Sequence, residues 1–180
     1  MSIKKAYVIG ANVSTSMSPT IFQYWFDKYN IDHAEYKYKK IKEDKFDKEI
    51  KSILQEDGLV GLNITIPYKE KILCYMDNKN SLLGPPSINC VTIKKPNDPN
   101  SSNFMKLGKN TDTAGFDRAL YNSGLSDVFS NHKSCCAIVL GYGGAAKAAI
   151  QALLLDSNFK RIIVFNRTFN KLKKIKEKFD

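Results

Sequence analysis

The chain has 180 residues, enough for one domain and part of a second, and its apolar share of 43% is close to the roughly 45–50% of packed globular proteins. Its four cysteines form no C-x-x-C pair and its two histidines lie near no cluster of Asp, Cys or Ser, which argues against a metal site, a disulfide scaffold and a histidine-based triad. The net charge of +10 favours a lysine-rich surface without a specific partner, while an anionic small ligand and nucleic acid stay open as alternatives.

The first part of the chain alternates strand and helix patterns, beginning with an apolar stretch that is too short for a signal peptide. No apolar run approaches the ~20 residues that cross a bilayer, so a cytoplasmic protein is expected. In chain order the patterns predict a strand over 5–10, a helix capped by Ser18, a strand over 34–41, a helix over 46–54, a strand over 59–66, a helix opened by Pro67, a strand over 88–94, a hairpin partner over 104–109 and a helix from Thr111 to about Gly124.

The last part of the chain has a βαβα rhythm, typical of the opening of a doubly wound nucleotide-binding fold. The patterns predict strands over 137–140 and 161–165 and helices over 145–155 and 169–179. Such a fold has about six strands, so we expect a fragment, or a second half that this chain does not supply. The predicted fold class is therefore α/β with two domains: an α/β sheet domain over 1–112 that binds substrate, and a partial Rossmann-like domain over 113–180.

A glycine-rich turn joins the first strand of this second domain to its helix. Gly141-Tyr142-Gly143-Gly144-Ala145-Ala146 matches G-x-G-x-x-A, in which the first glycine permits a tight turn and the second lets backbone approach a pyrophosphate. The helix N-terminus adds free N–H groups and a positive dipole end. A plain strand-to-helix connection is the alternative.

The second strand of this domain is followed by Asn166-Arg167-Thr168 rather than by an acid. An acidic residue repels a 2′-phosphate, whereas a guanidinium binds it with paired hydrogen bonds. Arg167 therefore favours NADP over NAD, with an ordinary surface arginine as the alternative.

Polar residues follow several strands of the first domain, where open α/β sheets bind ligands. Ser16 and Ser18 stand at a helix start and can bind a carboxylate, or Ser18 simply caps the helix. Lys69 is expected in the first turn of a helix, where the dipole disfavours a cation, which suggests a functional reason or else a surface lysine. Asp112 is a second candidate, with helix capping as its alternative.

Together these segments resemble the ordered motifs of the shikimate dehydrogenase family. The resemblance rests on Ser16-Met17-Ser18-Pro19, Gly61-Leu62-Asn63-Ile64-Thr65-Ile66-Pro67-Tyr68-Lys69-Glu70, Asn110-Thr111-Asp112, the glycine turn and Asn166-Arg167-Thr168. Thr15 stands where the family often has histidine, and Ser87-Ile88-Asn89-Cys90 stands for its A-V-N-T segment.

The resemblance implies NADPH-dependent reduction of 3-dehydroshikimate to shikimate, a step toward chorismate and the aromatic amino acids. It implies that Ser16 and Ser18 hold the substrate carboxylate, that Thr65, Asn89 and Asp112 bind ring hydroxyls, and that Lys69 and Asp112 form the catalytic pair. The implied cofactor-binding residues are Gly141, Gly143, Gly144, Ala145, Asn166, Arg167, Thr168 and Lys171.

Two other functions stay open: a truncated relative that binds shikimate without catalysis, and a dehydrogenase of similar layout acting on quinate or on folate. The expected partner is a small-molecule substrate, with no nucleic acid and no membrane, and a homodimer is left open.

Overall fold

The computed structural model describes residues 2–78, 87–94, 104–125, 135–156 and 158–168. The chain divides into two compact units, Met1–Asn110 and Thr111–Asp180. Among the described residues, no helix combines the length and apolar character that crossing a bilayer demands.

The first unit is built on one five-stranded sheet with the strand order β2-β1-β3-β4-β5. Strand β1 pairs in parallel with β2 and β3, and β4 and β5 continue the sheet as an antiparallel hairpin, as the sequence predicted. The elements of this unit are β1 (Lys4–Gly10), α1 (Ser18–Lys28), β2 (Ala34–Lys40), a 3₁₀ turn (Glu43–Lys45), α2 (Phe46–Ile53), β3 (Leu59–Ile64), a 3₁₀ helix (Lys71–Tyr75), β4 (Cys90–Lys94) and β5 (Met105–Lys109).

One face of this sheet carries the main core. Tyr7 and Ile9 of β1 lie on that face, and α2 packs there because Phe46, Ile50 and Ile53 recur at helical spacing and are all buried. Burying each large apolar side chain contributes about 1.5–3 kcal/mol, so this face stabilises most of the unit.

The opposite face is covered by α1. Because side chains alternate along a strand, Val8 of β1 points to this face and forms a smaller cluster with Val13 and Tyr36, against which Phe22 and Phe26 of α1 pack. Helices on both faces confirm the predicted α/β class. This second face also holds the pocket described below.

The prediction of a helix that begins at Pro67 is wrong. Strand β3 ends at Ile64 rather than at residue 66, residues 66–70 form turns, and only a 3₁₀ helix follows. Two tertiary bonds explain the difference: the buried Tyr68 hydroxyl donates to the Ile41 carbonyl (2.7 Å), and the Lys69 carbonyl accepts from the Ile88 N–H (2.7 Å). Lys69 therefore does not lie in the first turn of a helix, and the dipole argument made for it fails.

The prediction that Ser18 caps α1 is also wrong. The helix begins at Ser18 itself, with Met17 in the capping position and no side-chain capping bond. The Ser18 backbone N–H instead donates to Oγ of Ser16 (3.3 Å), so the hydroxyl that supports the helix start belongs to Ser16.

The second unit contains a two-stranded parallel sheet and two helices. Its elements are α3 (Asp112–Leu120), a π turn (Tyr121–Leu125), β6 (Cys135–Leu140), α4 (Gly144–Leu155) and β7 (Phe159–Phe165). Helix α3 begins at Asp112, with Thr111 in the capping position, so Asp112 is not the helix cap. The predicted helix over 169–179 lies outside the described residues.

Candidate functional site

A cavity of about 560 Å³ lies on the α1 side of the first sheet, toward the carboxyl ends of β1 and β3. Parallel strands that end side by side place their following loops together, which explains why distant segments of the chain meet here. Its lining residues are Val8, Asn12, Val13, Thr15, Ser16, Ser18, Ile21, Phe22, Trp25, Asn63, Ile64, Thr65, Lys69 and Asn89. The structure thus brings together every site residue that the sequence proposed within this unit.

A pair of hydroxyls forms one wall of the cavity. Oγ of Ser16 donates to Oγ of Ser18 over 3.2 Å, and both residues are half-buried. They stand at the N-terminus of α1, which has no acidic residue in its first turn. Two hydroxyl donors beside the positive end of a helix suit a carboxylate.

A second wall comes from the end of β3. The Thr65 N–H donates to the Ile9 carbonyl (2.9 Å), which fixes Thr65 beside β1. A Cβ on Gly10 would lie 2.5 Å from Cγ2 of Thr65 and 2.7 Å from Cγ1 of Val13, so only glycine permits this approach.

Backbone bonds also anchor Asn89 and Lys69. The Asn89 carbonyl accepts from the Ile64 N–H (2.9 Å), and its own N–H donates to the Lys109 carbonyl (3.2 Å). Lys69 is half-buried and held through its carbonyl by Ile88. A lysine ammonium that lines a cavity beside amides and hydroxyls can donate a proton to a ligand oxygen.

The third wall is apolar and was not predicted as part of the site. Ile21, Phe22 and Trp25 of α1 recur at helical spacing, the pattern used in the sequence only to predict the helix. Ile21 and Trp25 are each 45% exposed, so they face the cavity rather than a closed core. Such a wall suits the apolar face of a ring.

Asn63 is a further residue that sequence reasoning missed as a ligand. It lines the cavity, its Oδ1 accepts from the Tyr36 hydroxyl (2.7 Å), and its Nδ2 donates to the Asn89 carbonyl (3.5 Å). Asn63 lies between Leu62 and Ile64, which both face the core. Because side chains alternate along a strand, the Asn63 side chain must point to the other face of the sheet, and this pattern could have identified it from the sequence.

Asp112 belongs to the second unit, where it is the first residue of α3 and half-exposed. Its predicted pairing with Lys69 stays a prediction.

The glycine turn of the second unit has a backbone conformation that glycine adopts readily. Gly141 has a φ of +100°, which L side chains rarely adopt, and its N–H donates to the Phe165 carbonyl (2.7 Å). A Cβ on Gly143 or Gly144 would meet open space within this unit. Helix α4 starts at Gly144 without a side-chain cap or an acidic residue in its first turn, and Ala145 adds no polar group there. Its N-terminal N–H groups can therefore bind a phosphate.

The turn after β7 supplies the second part of the predicted cofactor site. Nδ2 of Asn166 donates to the Thr168 carbonyl (2.8 Å), which shapes the turn, and the Arg167 side chain is exposed. Both turns follow the carboxyl ends of the paired strands β6 and β7. These residues fit a phosphorylated dinucleotide, whereas Lys171 lies outside the described residues.

The fold and the two sites define a class: an α/β protein with a cavity of mixed polar and apolar lining in one unit and a glycine turn at a helix N-terminus in the other. Two family models match, the shikimate dehydrogenase substrate binding domain over residues 8–83 and shikimate / quinate 5-dehydrogenase over residues 125–180. The chain belongs to the shikimate dehydrogenase family, as the motifs predicted.

Named relatives agree with this assignment. The shikimate dehydrogenase (NADP(+)) of Caldicellulosiruptor bescii is 35% identical, and the match covers 98% of this chain and 57% of that protein. The shikimate dehydrogenase (NADP(+)) of Thermotoga maritima is 32% identical, and the match covers 94% of this chain and 57% of that protein. The crystal structure of the Thermotoga maritima shikimate dehydrogenase matches with a TM-score of 0.68 over 94% of this chain and 58% of that one. A shikimate dehydrogenase in complex with NADP+ matches at 26% identity, with a TM-score of 0.72, over 98% of this chain and 57% of its own. The chain therefore spans less than two thirds of the length of these relatives.

Proposed function

We propose that this chain carries the substrate pocket and the first part of the cofactor site of an NADP-dependent shikimate dehydrogenase, which reduces 3-dehydroshikimate to shikimate. The observation that carries the proposal is the convergence of Ser16, Ser18, Thr65, Lys69 and Asn89 around one cavity. Membership of the family supports the same substrate class.

The pocket chemistry fits a hydroxylated cyclic carboxylate. The Ser16 and Ser18 hydroxyls can donate to the carboxylate, while the Thr65 hydroxyl and the Asn89 amide can bind ring hydroxyls. The apolar wall of α1 can cover the face of the ring. Each polar contact is worth roughly 0.5–1.5 kcal/mol, or more where the carboxylate takes part.

The second unit fits the phosphates of NADP. The N-terminus of α4 would bind the pyrophosphate and the Arg167 guanidinium the 2′-phosphate, by paired charge-assisted bonds. When bound, NADPH supplies the hydride that reduces the ketone carbon.

The residues of the chain supply the proton and the orientation. We assign the proton donor as Nζ of Lys69, which transfers a proton to the carbonyl oxygen as negative charge builds there, so that C=O becomes CH–OH. The role that the family resemblance implies for Asp112, orienting the amine and binding a ring hydroxyl, stays a prediction. Hydride and proton together balance the reduction.

The test of this proposal is the loss of NADPH absorbance on addition of 3-dehydroshikimate. Wild-type protein should consume NADPH, and Lys69→Ala should lower the rate by about 10²–10⁴-fold. Lys71→Ala is the matched control, because Lys71 lies outside the cavity and pairs at the surface with Glu43 (3.6 Å). Protein that is folded yet consumes no NADPH would contradict the proposal, and so would a Lys69→Ala variant with full activity.

Shikimate binding without hydride transfer is the second candidate. The observation that favours it is that every lining residue of the cavity lies in the first unit, between Val8 and Asn89, so this unit alone provides a ligand pocket. Saturable heats on titration with shikimate, together with no NADPH consumption, would select this candidate over the first.

Parallel rate measurements with shikimate and quinate, in the oxidative direction, would separate shikimate dehydrogenation from the quinate alternative. The homodimer that the sequence left open and the expected cytoplasmic location stay predictions, and light scattering after size-exclusion chromatography tests the first of them.

A further inference from the structure

Tyr36 of β2 is buried beneath the proposed pocket without lining it. Its side chain is 7% exposed, and its ring stacks on Phe22 of α1 with centroids 4.0 Å apart and planes 2° apart. It belongs to the cluster that includes Val8 and Val13. Stacking and burial together fix the ring, and the ring in turn fixes where its hydroxyl lies.

The hydroxyl of Tyr36 reaches across β1 to the pocket wall. In the strand register Tyr36 is opposite Ala6 on β1, and Asn63 of β3 is opposite Val8, so both side chains stand on the same face of the sheet. The Tyr36 hydroxyl donates to Oδ1 of Asn63 over 2.7 Å.

This bond fixes which way the Asn63 amide faces, because a hydroxyl proton needs the amide oxygen as its acceptor. With Oδ1 of Asn63 occupied, the amide has its Nδ2 left for donation, to the Asn89 carbonyl and to the cavity.

A phenylalanine at position 36 would give the same apolar packing without a buried hydroxyl that needs partners. Burial raises the pKa of Tyr36 to about 12. The group therefore stays a neutral donor at working pH, and the pocket residue that it orients is Asn63.

We propose that Tyr36 is a positioning residue of the pocket, whose hydroxyl holds the Asn63 amide with its oxygen toward Tyr36 and its Nδ2 free to donate toward a ligand with ring hydroxyls. The inference rests on the proposed function, since it takes shikimate as that ligand. Tyr36 acts through Asn63 and contacts neither substrate nor cofactor.

The test measures shikimate affinity by titration calorimetry on the full chain. Tyr36→Phe should weaken shikimate binding about tenfold, because the Asn63 amide loses the partner that fixes its orientation. The control is Tyr38→Phe, on the same strand and 49% exposed, which should match the wild type.

A double-mutant cycle adds a second measurement. If Tyr36 acts through Asn63, the effects of Tyr36→Phe and Asn63→Ala on shikimate affinity will be less than additive, because the second change finds its partner already lost. A loss of packing alone would give additive effects. Fully additive effects, or wild-type affinity in folded Tyr36→Phe, would overturn the inference while the proposed function stands. Absence of shikimate binding by the wild type would overturn both.

Should Tyr36→Phe fail to fold, Asn63→Asp takes its place. A carboxylate keeps an acceptor for the Tyr36 hydroxyl but lacks the Nδ2 donor. A fall of about tenfold in shikimate affinity is expected, and an unchanged affinity would overturn the inference.

Discussion

At the scale of single residues, the pocket depends on the close approach of β1 to the loop after β3. Gly10 has no room for a side chain, because Thr65 and Val13 would lie within 2.7 Å of an added Cβ. Both neighbours are β-branched and stiff, so they cannot move aside at low cost. The absence of a side chain at position 10 therefore sets the place of a predicted substrate-binding residue.

Gly10→Ala is predicted to lower the free energy of unfolding by about 1–3 kcal/mol through overpacking, and to weaken shikimate binding by displacing Thr65. Urea unfolding and calorimetry measure the two effects. Gly115→Ala is the matched control, because an added Cβ there meets nothing within 4 Å and lies inside α3, where alanine should stabilise slightly. Equal stability and affinity in Gly10→Ala would refute the steric argument.

Arg167 is the residue to which the cofactor preference is assigned. Arg167→Ala should reduce the preference for NADPH over NADH by about one to two decades, since the 2′-phosphate loses a charge-assisted partner. The ratio of kcat/KM for the two cofactors is the measurement. Arg161→Ala, on the exposed part of β7, serves as the control for loss of positive charge. A ratio that changes equally in both variants would point to general electrostatics instead.

At the scale of elements, one polar network links β1, β2 and the segment that precedes β3. The Tyr7 hydroxyl donates to Glu56 (2.7 Å) in the connection between α2 and β3, and Lys39 of β2 pairs with the same carboxylate while its ammonium lies 4.1 Å from the centre of the Tyr7 ring. Burial raises the pKa of Glu56, but the bonds from Lys39 and Tyr7 outweigh burial and hold that pKa below its usual 4.5.

A depressed carboxyl pKa stabilises the folded state above the unfolded pKa, and this contribution is lost as pH falls through the folded value. Glu56→Gln should therefore lower the free energy of unfolding by about 1–2 kcal/mol at neutral pH, and the difference from wild type should shrink as pH falls below 4.5. Urea unfolding across this range measures it, with Glu49→Gln on α2 as the control. A difference that stays constant with pH would contradict the assignment.

The order of the elements could be predicted from the sequence because each one has a local signal. Alternation predicted β2, and the helical spacing of Phe46, Ile50 and Ile53 predicted α2. The segment after Pro67 could not be predicted in this way. There the burial of Tyr68 and the bond from Ile88 to Lys69 replace the helical hydrogen bonds, and both partners are distant in sequence.

The pocket could be predicted only in part, for a related reason. Ser16, Ser18 and Lys69 stand in motifs that resemble those of the family, and the resemblance implied that they bind a ligand. Tyr36 gave no such signal, because an alternating strand explains a buried tyrosine equally well, and its contact with Asn63 depends on β2 and β3 both pairing with β1.

At the scale of the whole molecule, the two units differ in how well their sheets are covered. The first sheet has helices on both faces, whereas among the described residues β6 and β7 are covered by α4 on one face only. The large apolar side chains of the other face are exposed, namely Ile138, Leu140, Ile163 and Phe165. Doubly wound sheets are normally covered on both faces. The ligand pocket, in contrast, is formed entirely by the well-covered unit.

The central claim is that the cavity between α1, β1 and β3 binds shikimate through its paired serine hydroxyls. The most direct measurement is a calorimetric titration of the chain with shikimate, repeated on the double variant Ser16→Ala/Ser18→Ala, with Ser14→Ala, exposed and outside the cavity, as the control. The account predicts saturable binding to a single site, weakened about 10–100-fold in the double variant and unchanged in the control. No binding by the wild type, or equal affinity in the double variant, would contradict it.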